Sequence, residues 1–201
     1  MMHQGFVDLA EYIPGLQVDA RYAGHHNLVG DPLDGYRANK AIATREAADA
    51  LAKAVSVFAQ MGYGVLVYDA YRPQKAVDHF VRWAAAPETG LTRAEFYPDL
   101  DKTQLFPLGY IASRSGHTRG STIDLTLTKN GVPVDMGTGF DWMMDLSHHG
   151  IAGLTAEQEH NRALLRGVMC FAGFRPIESE WWHYVLMTET YPETYFDFDI
   201  E

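Results

Sequence analysis

The sequence predicts an α+β fold: a single domain with a central, mainly antiparallel sheet and flanking helices. Three observations carry that expectation. A stretch near residues 44–62 repeats apolar residues at helical spacing behind a capping residue, and a reciprocal cap at Thr155 and Gln158 opens a second helix. The stretch 121–137 alternates and contains a hairpin turn signal. No regular strand–helix–strand alternation runs along the chain, which disfavours a parallel sheet.

In chain order, residues 19–39, "DARYAGHHNLVGDPLDGYRAN", are rich in Gly, Asp, Asn and Pro and read as irregular structure over the surface. Thr44 is placed to cap a helix in which Ala47, Leu51, Val55 and Phe58 share a face, and Gly62 ends it. "GVLVYDAY" (64–71) is a short apolar run of β-branched and aromatic residues, as in a buried strand. Pro73 suits the first position of a second helix carrying Val77, Phe80 and Val81, where its missing N–H would have no partner anyway. Residues 86–110 are turn-rich. "STIDLTLTKNGVPVDMG" (121–137) predicts a hairpin through Asn130 and Gly131. Thr155 and Gln158 fit a reciprocal cap for a helix to about Ala172, with Gly173 beyond it. "HYVLM" (183–187) reads as a final strand. No repeat or linker divides the chain, so one domain is expected over residues 1–201.

Composition narrows the function. The 201 residues are 47% hydrophobic and 21% charged, ordinary for a globular protein. Acids outnumber bases, 26 to 16, which argues against a nucleic-acid partner. No run approaches the ~18 apolar residues of a membrane span. The opening "MMHQGFVDLAEYIPG" has neither the basic start nor the apolar run of a secretory leader, so a cytoplasmic location is expected. Cys170 is the sole cysteine; within "LLRGVMCFAG" it reads as core packing.

Three places can carry chemistry: Arg72 at the end of the first strand, "SRSGHTRGSTIDLTL" (113–127), and "ESEWWHY" (178–184). Singly, each has an ordinary reading: a salt-bridging arginine, a structural His–Asp hydrogen bond, the polar rim of an aromatic patch. Together they fill the roles of a hydrolytic zinc site, which needs three ligands and one open position. His117, Asp124 and His183 could supply the ligands. Glu180, three residues before a ligand, can take a proton from water and return it to a leaving amine. Arg72 can stabilise a tetrahedral oxyanion, with Tyr68, Asp69 and Tyr71 placed to hold it. Trp181 and Trp182 would keep the pocket dry. The doublets His25 with His26 and His148 with His149 lie among turn residues and read as solvated loops. Ser115 and Ser121 near His117 do not establish a Ser–His–Asp arrangement.

The combination of "SRSGHTRGSTIDLTL", "ESEWWHY" and the upstream "YDAYRP" resembles the zinc D-alanyl-D-alanine dipeptidases of the VanX type. These are related to zinc D,D-carboxypeptidases and to the zinc domain of hedgehog proteins. The likeness extends to "ARYAGHHNLVG" (20–30) and "MGTGFDWMMDLSHH" (136–149), and spans about residues 19–184. It implies a hedgehog/D,D-peptidase-like fold and one Zn2+ per chain on His117, Asp124 and His183. Glu180 would be the general base and Arg72 the intermediate-stabilising group. Tyr22, Ser115 and Asp141 would contact substrate, Asp141 suiting a free α-ammonium. The implied reaction is hydrolysis of D-alanyl-D-alanine or a similar D,D-dipeptide. Its setting would be cell-wall precursor breakdown, in glycopeptide resistance or D-alanine recycling, by a homodimer. Thr122 departs from the alanine common in the family and is expected to crowd the turn.

Two rivals are weighed. A D,D- or L,D-carboxypeptidase acting on peptidoglycan stem peptides needs an open groove and export. The absent leader and the segment 87–107, expected to cap a small pocket, count against it. A non-catalytic zinc-stabilised binding module would need neither Glu180 nor Arg72.

Overall fold

The apolar run predicted as a buried strand and the alternating hairpin stretch lie side by side at the centre of the molecule. In a computed structural model describing residues 2–201, β4 (Gly64–Asp69) pairs antiparallel with β5 (Thr122–Lys129). The six-stranded sheet continues through β8 (Glu180–Leu186) and β7 (Phe174–Ile177), both antiparallel. On the other side β2 (Gln17–Val18) joins β4 in parallel. The short β6 (Val132–Pro133) returns onto β5. Between them Asn130 and Gly131 have φ of 54° and 79°, the paired positive values that a tight hairpin turn requires. β1 (Phe6–Asp8) and β3 (Ile42–Thr44) form a separate antiparallel pair. The predicted α+β class and mainly antiparallel sheet are observed.

Two long helices, α2 (Arg45–Gln60) and α5 (Ala156–Ala172), pack against each other and the sheet. Thr44 accepts from Ala47 N, and Thr155 and Gln158 cap each other as expected. α2 buries Ala47, Leu51 and Phe58; α5 buries Leu165, Val168 and Met169. Beneath them lie Ile123, Leu125 and Leu127 of β5. Each Leu or Phe so buried contributes about 1.5–3 kcal/mol. Because strand side chains alternate, Asp124 between Ile123 and Leu125 turns to the opposite face.

α1 (Leu9–Tyr12), α3 (Gln74–Ala85) and α4 (Arg93–Phe96) complete the helices. Pro73 precedes α3 as its cap rather than opening it. The last strand starts at Glu180, so His183 lies within it. Its hairpin partner β7 escapes sequence reasoning because Pro176 interrupts the strand pattern. Cys170 is exposed, not in the core. Val168, Met169 and Ala172 take the inner face of α5, and 100° per residue turns Cys170 and Phe171 to solvent. Residues 187–201 run back across the molecule. Phe196 N donates to Thr118 O at 3.0 Å, Phe196 O accepts from Gln74 N at 3.1 Å, and Phe198 stacks on Tyr71 at 4.1 Å. Among the described residues, no helix is long and apolar enough to cross a membrane.

Candidate metal centre and active site

Asp124 on β5 and His183 on β8 are direct cross-strand partners, so the sheet register alone sets their side chains together. His117 arrives on a one-turn 3-10 helix, Gly116–Arg119, whose start is capped by Ser115 Oγ accepting from His117 N at 3.2 Å. The turn closes at Gly120, with φ of 79°; a Cβ there would stand 2.2 Å from the Phe6 ring, so only glycine fits. His117 Nδ1 donates to Ala70 O at 2.7 Å, which leaves the Nε2 lone pair free.

The three side chains make a small triangle. His117 Nε2 is 3.3 Å from His183 Nδ1 and 3.2 Å from Asp124 Oδ2, and His183 Nδ1 is 3.1 Å from Asp124 Oδ1. A zinc ion with ligands at 2.0–2.1 Å in a tetrahedron separates them by about 3.3 Å. Asp124 Oδ1 is buried without a hydrogen bond, an arrangement costly unless a cation takes the lone pair. The donor set and its spacing therefore fit zinc. Burial alone would raise the Asp124 pKa, but the two imidazoles outweigh it and hold the carboxyl below its usual range. Burial likewise works to lower His183, yet Asp124 and Glu180 beside it push it up to about 9.

The triangle opens on a cavity of about 180 Å3 lined also by Tyr22, Arg72, Ser115, Asp141 and Glu180, so every site residue expected from the sequence converges there. The volume is below the roughly 300–1,000 Å3 of pockets for drug-sized ligands and suits a small substrate. Residues 109–112 and 114–116 form part of its lining. Segment 87–107 does not reach the cavity; it forms α4 and packs Phe96, Tyr97 and Leu105 inward. Glu180 Oε2 lies 3.3 Å from His183 Nδ1.

Arg72 donates from Nε to Asp69 Oδ2 at 2.9 Å, with Nη2 2.8 Å from the same oxygen and 3.8 Å from Asp124 Oδ2. Tyr22 and Phe80 flank its guanidinium at 4.8 and 5.3 Å. Of the three residues expected to hold it, only Asp69 does so. Tyr71 instead bonds Phe198 O at 3.0 Å, and Tyr68 stacks on Phe140. Sequence reasoning missed Tyr36, which donates to Asp69 Oδ1 at 2.5 Å from 33 residues away in the chain.

Tyr22 donates to Asp141 Oδ2 at 2.7 Å. Burial raises the Asp141 carboxyl to about 8 despite that hydrogen bond. Asp141 sits at φ 60°, a strained region that aspartate tolerates better than most residues. The two tryptophans explain how it is held. Neither lines the cavity, contrary to expectation. Trp181 Nε1 donates to Thr138 Oγ1 at 2.8 Å, and Trp182 packs on Phe140, so the pair anchors the loop that presents Asp141. Nor does Thr122 crowd the turn: Gly116 makes the room, since a Cβ there would stand only 3.0 Å from Thr122 Oγ1.

The family model described as D-ala-D-ala dipeptidase matches residues 2–201. The D-alanyl-D-alanine dipeptidase of Enterococcus faecium is 46% identical over 202 residues, covering 100% of both chains. That of Streptomyces coelicolor is 44% identical over 197 residues, covering 97% of this chain and 96% of its own. A solved structure of the vancomycin-resistance D,D-pentapeptidase VanY, in complex with Zn(II), is similar at a TM-score of 0.47 and 14% identity, covering 75% of this chain and 76% of that one. With nearly the whole length matched at this identity, the chain belongs to the D-ala-D-ala dipeptidase family of peptidases.

Proposed function

We propose that the chain, as one domain over residues 1–201, is a zinc peptidase that hydrolyses D-alanyl-D-alanine or a similar D,D-dipeptide to free D-amino acids. The observation that carries this reading is the His117, Asp124 and His183 triangle at tetrahedral spacing, with Glu180 against its edge in a small cavity. Zinc held there supplies electrophilic polarisation of the scissile carbonyl and a water acidified toward neutrality.

The chain's own groups do the rest. Glu180 accepts the attacking water's proton and returns it to the departing amine nitrogen, so the leaving group departs neutral. Arg72, fixed by Asp69, aims its remaining N–H groups at the oxygen on which negative charge develops. Asp141 and Tyr22 receive the substrate's α-ammonium. An arriving ammonium would draw the Asp141 proton off and leave a buried ion pair. A peptide extended at its N-terminus brings a neutral amide instead, so the same pair restricts length to two residues. Ser115 lines the cavity beside His117 as a further substrate contact. On this reading the protein works in the cytoplasm, in cell-wall precursor breakdown.

The test replaces Glu180 with alanine. Zinc should stay at one per chain while kcat for D-alanyl-D-alanine falls by about 10²–10⁴-fold. Wild-type protein that cleaved a tripeptide ending in D-Ala-D-Ala as well as the dipeptide would instead be a carboxypeptidase.

A further inference from the structure

A D,D-dipeptide is a zwitterion, and its carboxylate needs a partner as much as its ammonium does. Among the residues placed so far, no cationic side chain is free to pair with it. Two cationic side chains besides the histidines line the cavity, Arg72 and Arg114. The Arg72 guanidinium lies against Asp69 at 2.8–2.9 Å and beside Asp124 at 3.8 Å, so two buried carboxylates already share its charge. Arg114 is different. It is exposed, and among the described residues it forms no ion pair.

Arg114 is also held in place. Its guanidinium lies 4.8 Å over the ring of Tyr195, on the C-terminal return. The Tyr195 hydroxyl in turn accepts from Arg119 Nη1 at 3.4 Å. A guanidinium stacked on an aromatic face keeps its N–H edge available for a carboxylate and loses less rotamer freedom when it binds one.

We propose that Arg114 is a specificity-determining residue that recognises the free C-terminal carboxylate of the substrate. The idea rests on the dipeptidase reading and deepens it. Asp141 reads the amino end, Arg114 the carboxyl end, and the scissile bond is confined between them over Glu180.

The test compares D-alanyl-D-alanine with its C-terminal amide in wild type, Arg114→Ala and Arg114→Lys, with zinc content and thermal stability as controls on the fold. Wild type should favour the free acid. In Arg114→Ala, KM for the acid should rise about 10- to 100-fold, the range of a charge-assisted hydrogen bond, with kcat nearly unchanged. The amide should be cleaved as before, so the preference collapses, and Arg114→Lys should restore part of it. An active Arg114→Ala variant with its acid preference intact would overturn the role of Arg114 alone. A zinc-loaded wild type that cleaved neither compound would overturn the dipeptidase reading and this assignment with it.

Discussion

Replacing Asp141 with asparagine separates what this residue does for the fold from what it does for the substrate. In the metal-free protein, burial lifts the carboxyl from 3.8 to about 8. An unfolded chain ionises it near 4. The sign follows: the folded state holds the proton more tightly, so the contribution is complete below pH 4 and is lost as pH rises through 8. At pH 7 about three pH units of that window have been crossed, which at 1.36 kcal/mol each sets an upper bound of about 4 kcal/mol. Water entering the cavity lowers this, and about 2–3 kcal/mol is expected. Asparagine has the same shape and still accepts the Tyr22 hydrogen bond, but has no charge to desolvate. Asp141→Asn should therefore match wild type at pH 4.5 and become progressively more stable above it, measured by urea denaturation of chelator-treated protein. The zinc-loaded variant should meanwhile lose dipeptide affinity, with KM up about 100-fold or more for lack of a partner to the ammonium. A stability difference that stayed constant from pH 4.5 to 8, or an unchanged KM, would refute the reasoning.

Arg72→Lys removes the forked contact to Asp69 while keeping a charge; kcat should fall about 10²–10³-fold in steady-state assays with zinc content unchanged. Thr122 Oγ1 is buried without a partner, so Thr122→Val should be neutral or stabilising by up to about 1 kcal/mol in thermal melts. Gly116→Ala should destabilise the Thr122 protein more than the Thr122→Ala protein, a coupling readable in a double-mutant cycle. His149 is half-buried, and burial with Arg166 nearby lowers its pKa to about 4. The unfolded chain takes that proton first, so stability should fall as pH drops from 6.5 to 4, by about 1–2 kcal/mol after solvent screening. Denaturation of His149→Gln should lack that slope.

The elements whose signals are local were legible. Thr44 and Thr155 cap helices, and Asn130 with Gly131 turns a hairpin, because a cap or tight turn is satisfied within a few residues. Glu180 beside His183 was expected from their spacing, but the cause is not local. Three positions apart on a regular strand they would face opposite ways, and the irregular pairing of β7 with β8 lets their side chains meet at 3.3 Å. The tryptophans misled because an aromatic pair next to a site residue reads as pocket lining, while Trp181 bonds Thr138 and Trp182 packs on Phe140, both against the loop at 138–142. Cys170 misled because an apolar run on a helix has a solvent face that composition does not reveal. β7 was hidden by Pro176, which a strand near the edge of the sheet tolerates.

By itself the sequence determined which functional groups are available and where the chain turns and caps, since residue chemistry and backbone preference act over a few positions. Only tertiary structure decided which of those groups meet. The pairing of Asp124 opposite His183 is a register of two strands 59 positions apart in the chain, and the hold of Tyr36 on Asp69 crosses 33. Such contacts are chosen by burying the whole sheet face at once, a balance no short stretch of sequence contains.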